Sequence, residues 1–231
     1  MKTGITILLF TVIAFTAAMA QSDAVWVCDV KFNNSKFDNK HAGSGFLVSY
    51  GNEVYGITAK HVLYFAKTDS MNTISFGYEL KSWTLCSSNS NSNNIELGKL
   101  INEDKNEKIT MPPNGDWLIF ETTGDLPKTA TIHNVRETPL QPGEEVSFMG
   151  FPYGAEKPIH VKGKFTKLTA GGNLSLEIPK GNYGGCSGGP VLDANGDLVG
   201  IVSMGYFDQK QNKQIFEPAS LDYFKQVITI N

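Results

Sequence analysis

Residues 184–191 read Gly-Gly-Cys-Ser-Gly-Gly-Pro-Val, and this turn decides how the rest of the chain is interpreted. Small residues surround one hydroxyl group, that of Ser187, and glycine accepts positive φ angles and a close approach of other backbone. Gly185 and Ser187 can therefore direct their backbone N–H groups at one point, where they would stabilise an oxyanion. Turns of this composition also occur as plain connections between strands, so a catalytic role requires a base and a carboxylate elsewhere in the chain.

Short apolar and β-branched segments on both sides of this turn predict an all-β chain. Strands are predicted over residues 25–32, 43–49, 53–58, 74–80, 83–86, 115–121, 145–149, 159–165, 174–178, 191–192, 198–204 and 215–218. Short strands at such spacing are typical of a sandwich or barrel. The Pro- and Gly-containing linker after residue 126 predicts two halves, residues 21–126 and 127–231. Leu221, Phe224 and Ile228 share one face of a predicted short C-terminal helix.

The N-terminus has the pattern of a secretory signal peptide. Lys2 is followed by an uncharged run from Ile5 to Ala20, which ends Ala-Met-Ala before a polar segment. This apolar run is shorter than the roughly 20 residues that a spanning helix needs, and its small-residue end fits a cleavage site. We therefore expect residues 1–20 to be removed, although an uncleaved anchor is the alternative. The mature chain would be secreted or periplasmic, without a membrane anchor.

Composition and charge exclude several classes of protein. The chain has 41% hydrophobic and 11% aromatic residues, which is ordinary for a globular protein. A formal net charge of −3 leaves no basic surface for nucleic acid, so we expect none as a partner. The sequence contains no Cys-x-x-Cys motif or clustered His pattern, so we expect no metal site and no cofactor. We expect no appended peptide-binding regulatory domain either.

The three cysteines make an odd count, so at most one internal disulfide can form. Cys28 with Cys86 is the pairing we consider, because Cys186 lies inside the 184–191 turn. Three unpaired thiols, which behave as small buried hydrophobic groups, are the alternative.

Several polar residues carry no functional prediction. Residues 87–94 contain only Ser and Asn, and we expect them to form a mobile surface loop. His41, His133 and His160 lack a neighbouring catalytic motif, and we expect them on the surface or in loops.

A base and a carboxylate are present in the first half of the chain. His61 ends the segment Thr58-Ala59-Lys60-His61, and Asp116 begins an apolar strand. An aspartate in that position is usually a turn residue, and a single histidine is usually structural. A serine hydroxyl, however, needs an imidazole as its general base, and that imidazole needs a carboxylate to hold its tautomer and stabilise its charged form. His61, Asp116 and Ser187 supply this set.

The segments around these residues resemble motifs of the chymotrypsin-like (trypsin-fold) serine proteases, and are nearer to the bacterial branches of that family. The motifs are Thr58-Ala59-Lys60-His61-Val62, Asp116-Trp117-Leu118-Ile119 and Gly185-Cys186-Ser187-Gly188-Gly189-Pro190. The resemblance implies two six-stranded antiparallel β-barrels with the active site between them. It implies Ser187 as nucleophile, His61 as general acid and base, Asp116 as the orienting carboxylate, and the amides of Gly185 and Ser187 as the oxyanion hole.

The same resemblance implies where a polypeptide substrate would bind. Ser203 and Gly205 would lie on the strand that supports Asp116 and pairs with the substrate backbone. Gly181 and Asn182 would lie at the base of the specificity pocket. Because no acidic side chain occurs between Lys180 and Ser187, we expect a preference for an apolar or small side chain before the cleaved bond. A preference for glutamate is the alternative, because Lys180 and Asn182 are polar donors.

Cys186 departs from the pattern, since animal digestive members of the family have an aspartate there that pairs with a new N-terminus. A thiol offers no buried anion, so we expect activation without that switch. An alternative is that Cys186 is itself the nucleophile. A binding protein that kept the fold and a serine esterase are two further alternatives, although esterases of the α/β-hydrolase type place the histidine after the serine in the chain.

Overall fold

β-Strands follow one another along most of the chain in the computed structural model, which describes residues 23–209 and 212–230. The first half contains β1 (Trp26–Phe32), β2 (Ser44–Tyr50), β3 (Glu53–Thr58), β4 (Thr73–Ile74), β5 (Leu80–Cys86), β6 (Ile95–Leu100), β7 (Asp104–Lys108), β8 (Leu118–Thr122) and β9 (Ile132–Asn134). The second half contains β10 (Glu145–Gly150), β11 (Ile159–Leu168), β12 (Leu174–Glu177), β13 (Pro190–Asp193), β14 (Leu198–Asp208), β15 (Lys213–Ser220) and α1 (Asp222–Ile230). The predicted signal peptide, residues 1–20, lies outside the described residues.

The first barrel is a closed sheet of six strands in the order β1-β5-β6-β8-β3-β2. Pairing of Trp26 with Gly45 joins β1 to β2 and closes the barrel. In β1 every second side chain is buried, as expected for a strand with one face on a core. The core is aromatic at its centre, where the ring centroids of Trp83 and Phe120 lie 5.2 Å apart.

The second barrel has six strands in the order β12-β11-β10-β13-β14-β15. Strands β12 and β15 lie beside each other, which nearly closes the sheet, although no hydrogen-bonded ladder joins them. A turn at Asn195-Gly196 connects β13 to β14. The all-β architecture of two six-stranded barrels with a short C-terminal helix is thus confirmed.

Helix α1 crosses from the second barrel to the first. Phe224 is fully buried, and its ring lies 5.3 Å from Trp117 and 5.7 Å from Tyr50, which both belong to the first half of the chain. The last element of the chain therefore packs against the first barrel. No helix in the described part of the chain combines the length and the apolar composition that crossing a membrane would take.

The predicted mobile loop at residues 87–94 is organised by a buried carboxylate. The side chains of Ser87, Asn89 and Asn93 donate hydrogen bonds to Asp23, which is 4% exposed. A buried anion requires such donors, and the Ser- and Asn-rich composition of the loop provides them.

The structure decides between the two possibilities for the cysteines. All three cysteines are free. Although β1 and β5 pair, Cys28 lies opposite Leu85, and Cys86 lies opposite Val27. Neighbouring residues of a strand point to opposite faces, so the Cys28 thiol enters the core while that of Cys86 faces away, and the two cannot form a bridge. Burial raises the pKa of Cys28 to about 11.

The predicted position of His133 is also wrong. It lies on β9, a short strand within the predicted linker that pairs in parallel with β2, and its side chain is buried. Its ring nitrogen Nε2 is 3.1 Å from the carbonyl oxygen of Ala24. Burial lowers the pKa of His133, so the fold holds the neutral imidazole. His160 is exposed, and His41 is half-buried in the turn before β2.

Candidate active site

The turn at residues 184–190 lies between the two barrels. One serine of the first barrel, Ser44, holds it in place. The backbone N–H of Ser44, at the start of β2, donates to the carbonyl oxygen of Ser187 at 2.7 Å. The hydroxyl of Ser44 donates to the carbonyl oxygen of Gly185 at 3.0 Å and accepts from the N–H of Phe151 at 2.9 Å. These bonds fix the position of Ser187 relative to the first barrel.

Three glycines let the backbone pass this closely. Gly185 and Gly188 have φ angles of +96° and +85°, a region that other residues rarely adopt. Gly43 has a φ of +99°, and a Cβ at this position would lie 2.7 Å from the carbonyl oxygen of Ser187. The glycines on both sides of the contact are therefore required by the backbone geometry.

His61, Asp116 and Ser187 form a continuous chain of hydrogen bonds. His61 lies in the 3-10 helix Lys60–Tyr64, directly after β3, and Asp116 precedes β8. Nδ1 of His61 is 2.6 Å from Oδ2 of Asp116, and Nε2 is 2.8 Å from Oγ of Ser187. Because a carboxylate only accepts, the Nδ1 nitrogen carries the proton, and Nε2 is left to accept the hydroxyl proton of Ser187.

The carboxylate of Asp116 is buried and receives two further hydrogen bonds. The backbone N–H of His61 donates to Oδ1 at 2.7 Å, and the hydroxyl of Ser203 donates to Oδ2. Asp116 is only 4% exposed, so these donors replace the water that would otherwise solvate the charge. Ser203 belongs to β14 of the second barrel, which makes the carboxylate a link between the barrels.

The two amides predicted to form an oxyanion hole are available. Cys186 lies between them in the chain, and its N–H donates to the carbonyl oxygen of Tyr183 at 3.0 Å. Within the described residues, the N–H groups of Gly185 and Ser187 have no protein acceptor. Two unpaired donors beside the Ser187 hydroxyl can therefore bind an oxygen atom of a ligand.

The predicted substrate-binding residues lie around the turn. Gly181 and Asn182 are exposed in the segment before it, and the Asn182 side chain accepts the N–H of Gly184 at 3.2 Å. Gly205 is exposed on β14 and pairs with Phe216 on β15. Ser203 is 9% exposed and directs its hydroxyl at Asp116.

Three aromatic rings fill the second barrel beneath this segment. The ring of Tyr183 lies 5.1 Å from Phe148 and 6.1 Å from Phe216, and the latter two rings stack at 4.8 Å. The Tyr183 hydroxyl donates to the carbonyl oxygen of Pro179 at 2.7 Å. The ring of Tyr183, which packs on these two phenylalanines, lies directly against Gly181.

Sequence reasoning missed Ser44, although the pattern Gly43-Ser44-Gly45 at the start of a strand is the available signal. Two glycines around one hydroxyl indicate a close backbone contact, but only the fold identifies the 184–190 turn as its partner. In residues 23–209 and 212–230, no group of three or more His, Cys, Asp and Glu side chains is placed to hold a metal ion.

Comparison with known proteins agrees with this geometry. The sequence profile of the family described as trypsin-like peptidase domain matches residues 43–201, which contain His61, Asp116 and Ser187. No curated protein sequence matches the chain.

Two solved structures are similar to the fold. One is a serine endoprotease from Yersinia pestis, with 16% identity and a TM-score of 0.60, and the match covers 90% of this chain. The chain spans 62% of the length of that protein. The other is the thermostable serine protease AL20 from an extremophilic microorganism, with 18% identity and a TM-score of 0.62, and the match covers 89% of this chain and 95% of AL20.

The chain therefore belongs to the trypsin-like peptidase domain family. The description of the family names a peptidase domain, so the enzyme class that it indicates is a hydrolase that acts on peptide bonds.

Replacing Gly43 by alanine tests the contact between β2 and the 184–190 turn. We expect G43A to lower the free energy of unfolding more than G51A does. The difference between the two variants should be about 1 kcal/mol or more. Both glycines have positive φ angles, +99° and +64°, but a Cβ at Gly51 meets no atom within 4 Å. Denaturant unfolding of the two variants measures the difference, and equal losses would mean that the contact with Ser187 tolerates a methyl group.

Proposed function

We propose that this protein is a secreted serine endopeptidase that cleaves peptide bonds through Ser187, His61 and Asp116 and an acyl-enzyme intermediate. The observation that carries the proposal is the unbroken series of hydrogen bonds from Asp116 through both ring nitrogens of His61 to the Ser187 hydroxyl. This arrangement supports the proposal because Nε2 of His61 can accept the hydroxyl proton of Ser187 while Asp116 accepts the Nδ1–H.

In the first step Oγ of Ser187 attacks the carbonyl carbon of the substrate while Nε2 of His61 takes the hydroxyl proton. The new C–O bond places negative charge on the carbonyl oxygen, which the N–H groups of Gly185 and Ser187 stabilise. His61 then gives its proton to the leaving amine as the peptide bond breaks. A water molecule, activated by the same nitrogen, hydrolyses the resulting ester and restores Ser187.

Asp116 supports both steps without itself being protonated. Its carboxylate stabilises the imidazolium that forms when His61 accepts the proton, and it holds the ring by accepting from both the Nδ1–H and the backbone N–H of His61. The Ser203 hydroxyl keeps one carboxylate oxygen in place. Fixed geometry of this kind lowers the barrier because little reorganisation is needed during the reaction.

The free edge of β14 is the proposed site for the substrate backbone. The ladder between β13 and β14 reaches Pro190 and Ile201, and the backbone of Val202 exchanges two further hydrogen bonds with Gly188 and Gly189, so this edge of β14 is bonded up to Val202. On its other edge, β14 continues beside β15, where Gly205 pairs with Phe216. An extended peptide can therefore add to β14 near Gly205 through main-chain hydrogen bonds.

We propose that residues 1–20 direct the chain out of the cytoplasm and that the mature protein acts in the periplasm or outside the cell. The signal pattern supports this destination. Residues 21–126 and 127–231 are the corresponding proposed units, one for each barrel.

Hydrolysis of casein by single variants tests the nucleophile. We expect S187A to lose at least about 1,000-fold in kcat, because the covalent step is then absent. C186A should keep most of the activity, since burial raises the pKa of the Cys186 thiol to about 12 and leaves no reactive thiolate. Activity that survives in S187A and disappears in C186A would make Cys186 the nucleophile.

Assays of the wild-type protein with casein, small esters and a fluorophosphonate probe separate the two other functions. A binding protein that kept the fold would neither hydrolyse casein nor react with a fluorophosphonate probe. A serine esterase would react with the probe and hydrolyse small esters but not casein. Either result in the wild-type protein would contradict the proposed peptidase activity.

Cleavage of a peptide library tests the side-chain preference. We expect cleavage after small or apolar residues, because the apolar ring of Tyr183 lies against Gly181 and no acidic side chain lies between Lys180 and Ser187. Mass spectrometry of the products identifies the residue before each cleaved bond. Predominant cleavage after arginine would contradict the prediction.

A further inference from the structure

A buried lysine lies directly beside the catalytic histidine in the chain and takes no part in the steps above. The side chain of Lys60 is 1% exposed. Its ammonium group donates to Oε1 of Glu107 at 2.7 Å and to the carbonyl oxygen of Asn114 at 2.7 Å. It also donates to the hydroxyl of Tyr223 on α1 at 3.2 Å. A buried charge is tolerated only with such partners, so these bonds fix Lys60 firmly.

Tyr223 also contacts the residue before the catalytic aspartate. Gly115 has a φ of +57°, and a Cβ at this position would overlap the tyrosine ring. The same ring lies 4.5 Å from the ammonium nitrogen of Lys60, a distance that favours a cation–π contact. One side chain of α1 is therefore in contact with the residue that precedes His61 and with the residue that precedes Asp116.

The residue after Asp116 is held by the same end of the chain. The indole N–H of Trp117 donates to the carbonyl oxygen of Ser220 at 2.9 Å, and the carbonyl oxygen of Trp117 accepts from the Asn102 amide at 2.7 Å. That amide is also 3.3 Å from the Tyr223 hydroxyl. Both neighbours of Asp116 are thus fixed through residues 220–223.

We propose that Lys60 and Tyr223 are positioning residues that use the C-terminal helix to hold His61 and Asp116 at hydrogen-bonding distance. Neither side chain touches the substrate or the reacting atoms. Lys60 acts through the backbone that it shares with its neighbour His61. Tyr223 acts through its contacts with Lys60 and with Gly115, the residue before Asp116. Because a misplacement of about 1 Å can lower a rate by about 100-fold, a smaller movement of either backbone is enough to slow the reaction.

Three variants test this proposal, which rests on the proposed function. Y223F removes the hydroxyl and keeps the ring against Gly115, and K60M removes the ammonium group at nearly constant volume. K60M/E107Q removes both charges, so that no unpaired carboxylate remains. The control is K225M, because Lys225 lies on the same helix but bonds to the Arg136 carbonyl and to Glu137.

We expect Y223F, K60M and the double variant to lower kcat about tenfold, with KM changed by less than about twofold. Rates are measured per site labelled by a fluorophosphonate, well below every unfolding midpoint. The proton NMR resonance of the His61 Nδ1–H, identified by its loss in H61Q, should move upfield or broaden in all three variants. In K225M both kcat and this resonance should remain unchanged.

A purely structural role predicts a different outcome. In that case Y223F and K60M/E107Q would lower the unfolding midpoint, while kcat per labelled site and the Nδ1–H resonance would equal those of K225M, and the proposal would be overturned. A wild-type protein without peptidase activity would contradict the proposed function instead. The resonance would then still decide whether Lys60 and Tyr223 position the histidine.

Discussion

The buried carboxylate of Asp116 is the group on which the site depends. It accepts from the backbone and ring of His61 in the first barrel and from Ser203 in the second. A charge that is 4% exposed is stable only where such donors converge, so the two barrels must be docked for Asp116 to be buried at this point. Docking of the two barrels and orientation of the His61 ring therefore depend on the same buried carboxylate.

A second polar connection crosses the same interface on the other side of Ser187. Ser44 bonds to the carbonyl oxygens of Gly185 and Ser187, while the N–H groups of these two residues have no protein acceptor among residues 23–209 and 212–230. The carbonyl groups anchor the turn, and the amide groups are available to a ligand. A turn held in this way needs no charge at position 186. The thiol of Cys186 is fully buried and neutral, which fits an oxyanion hole that forms without an N-terminal ammonium.

Much of the fold was predictable because its signals are local. Alternating short strands with glycine-containing turns indicated two β units, and the order of His61, Asp116 and Ser187 limited the chemistry. What escaped prediction depends on distant partners. Strand β7 is formed by Asp-Lys-Asn-Glu-Lys, a segment without apolar alternation that is a strand only because it pairs with β4.

The same reason explains the predictions for single side chains that were wrong, left open or missing. His133 is buried because β9 adds to β2, and Cys28 and Cys86 stay apart because of a register that only the folded sheet defines. From its residue type alone, Lys60 would be expected at the surface in contact with water. Its partners Glu107 and Tyr223 lie far away in the chain, so no local pattern could reveal its burial.

The site of reaction with a fluorophosphonate probe tests the central claim most directly, namely that His61, oriented by Asp116, activates the hydroxyl of Ser187. The measurement is peptide mapping of the labelled protein by mass spectrometry, with H61Q as the matched control. We predict one phosphonylated residue, Ser187, and little labelling in H61Q. An adduct on Cys186, or equal labelling of Ser187 in H61Q, would contradict the account.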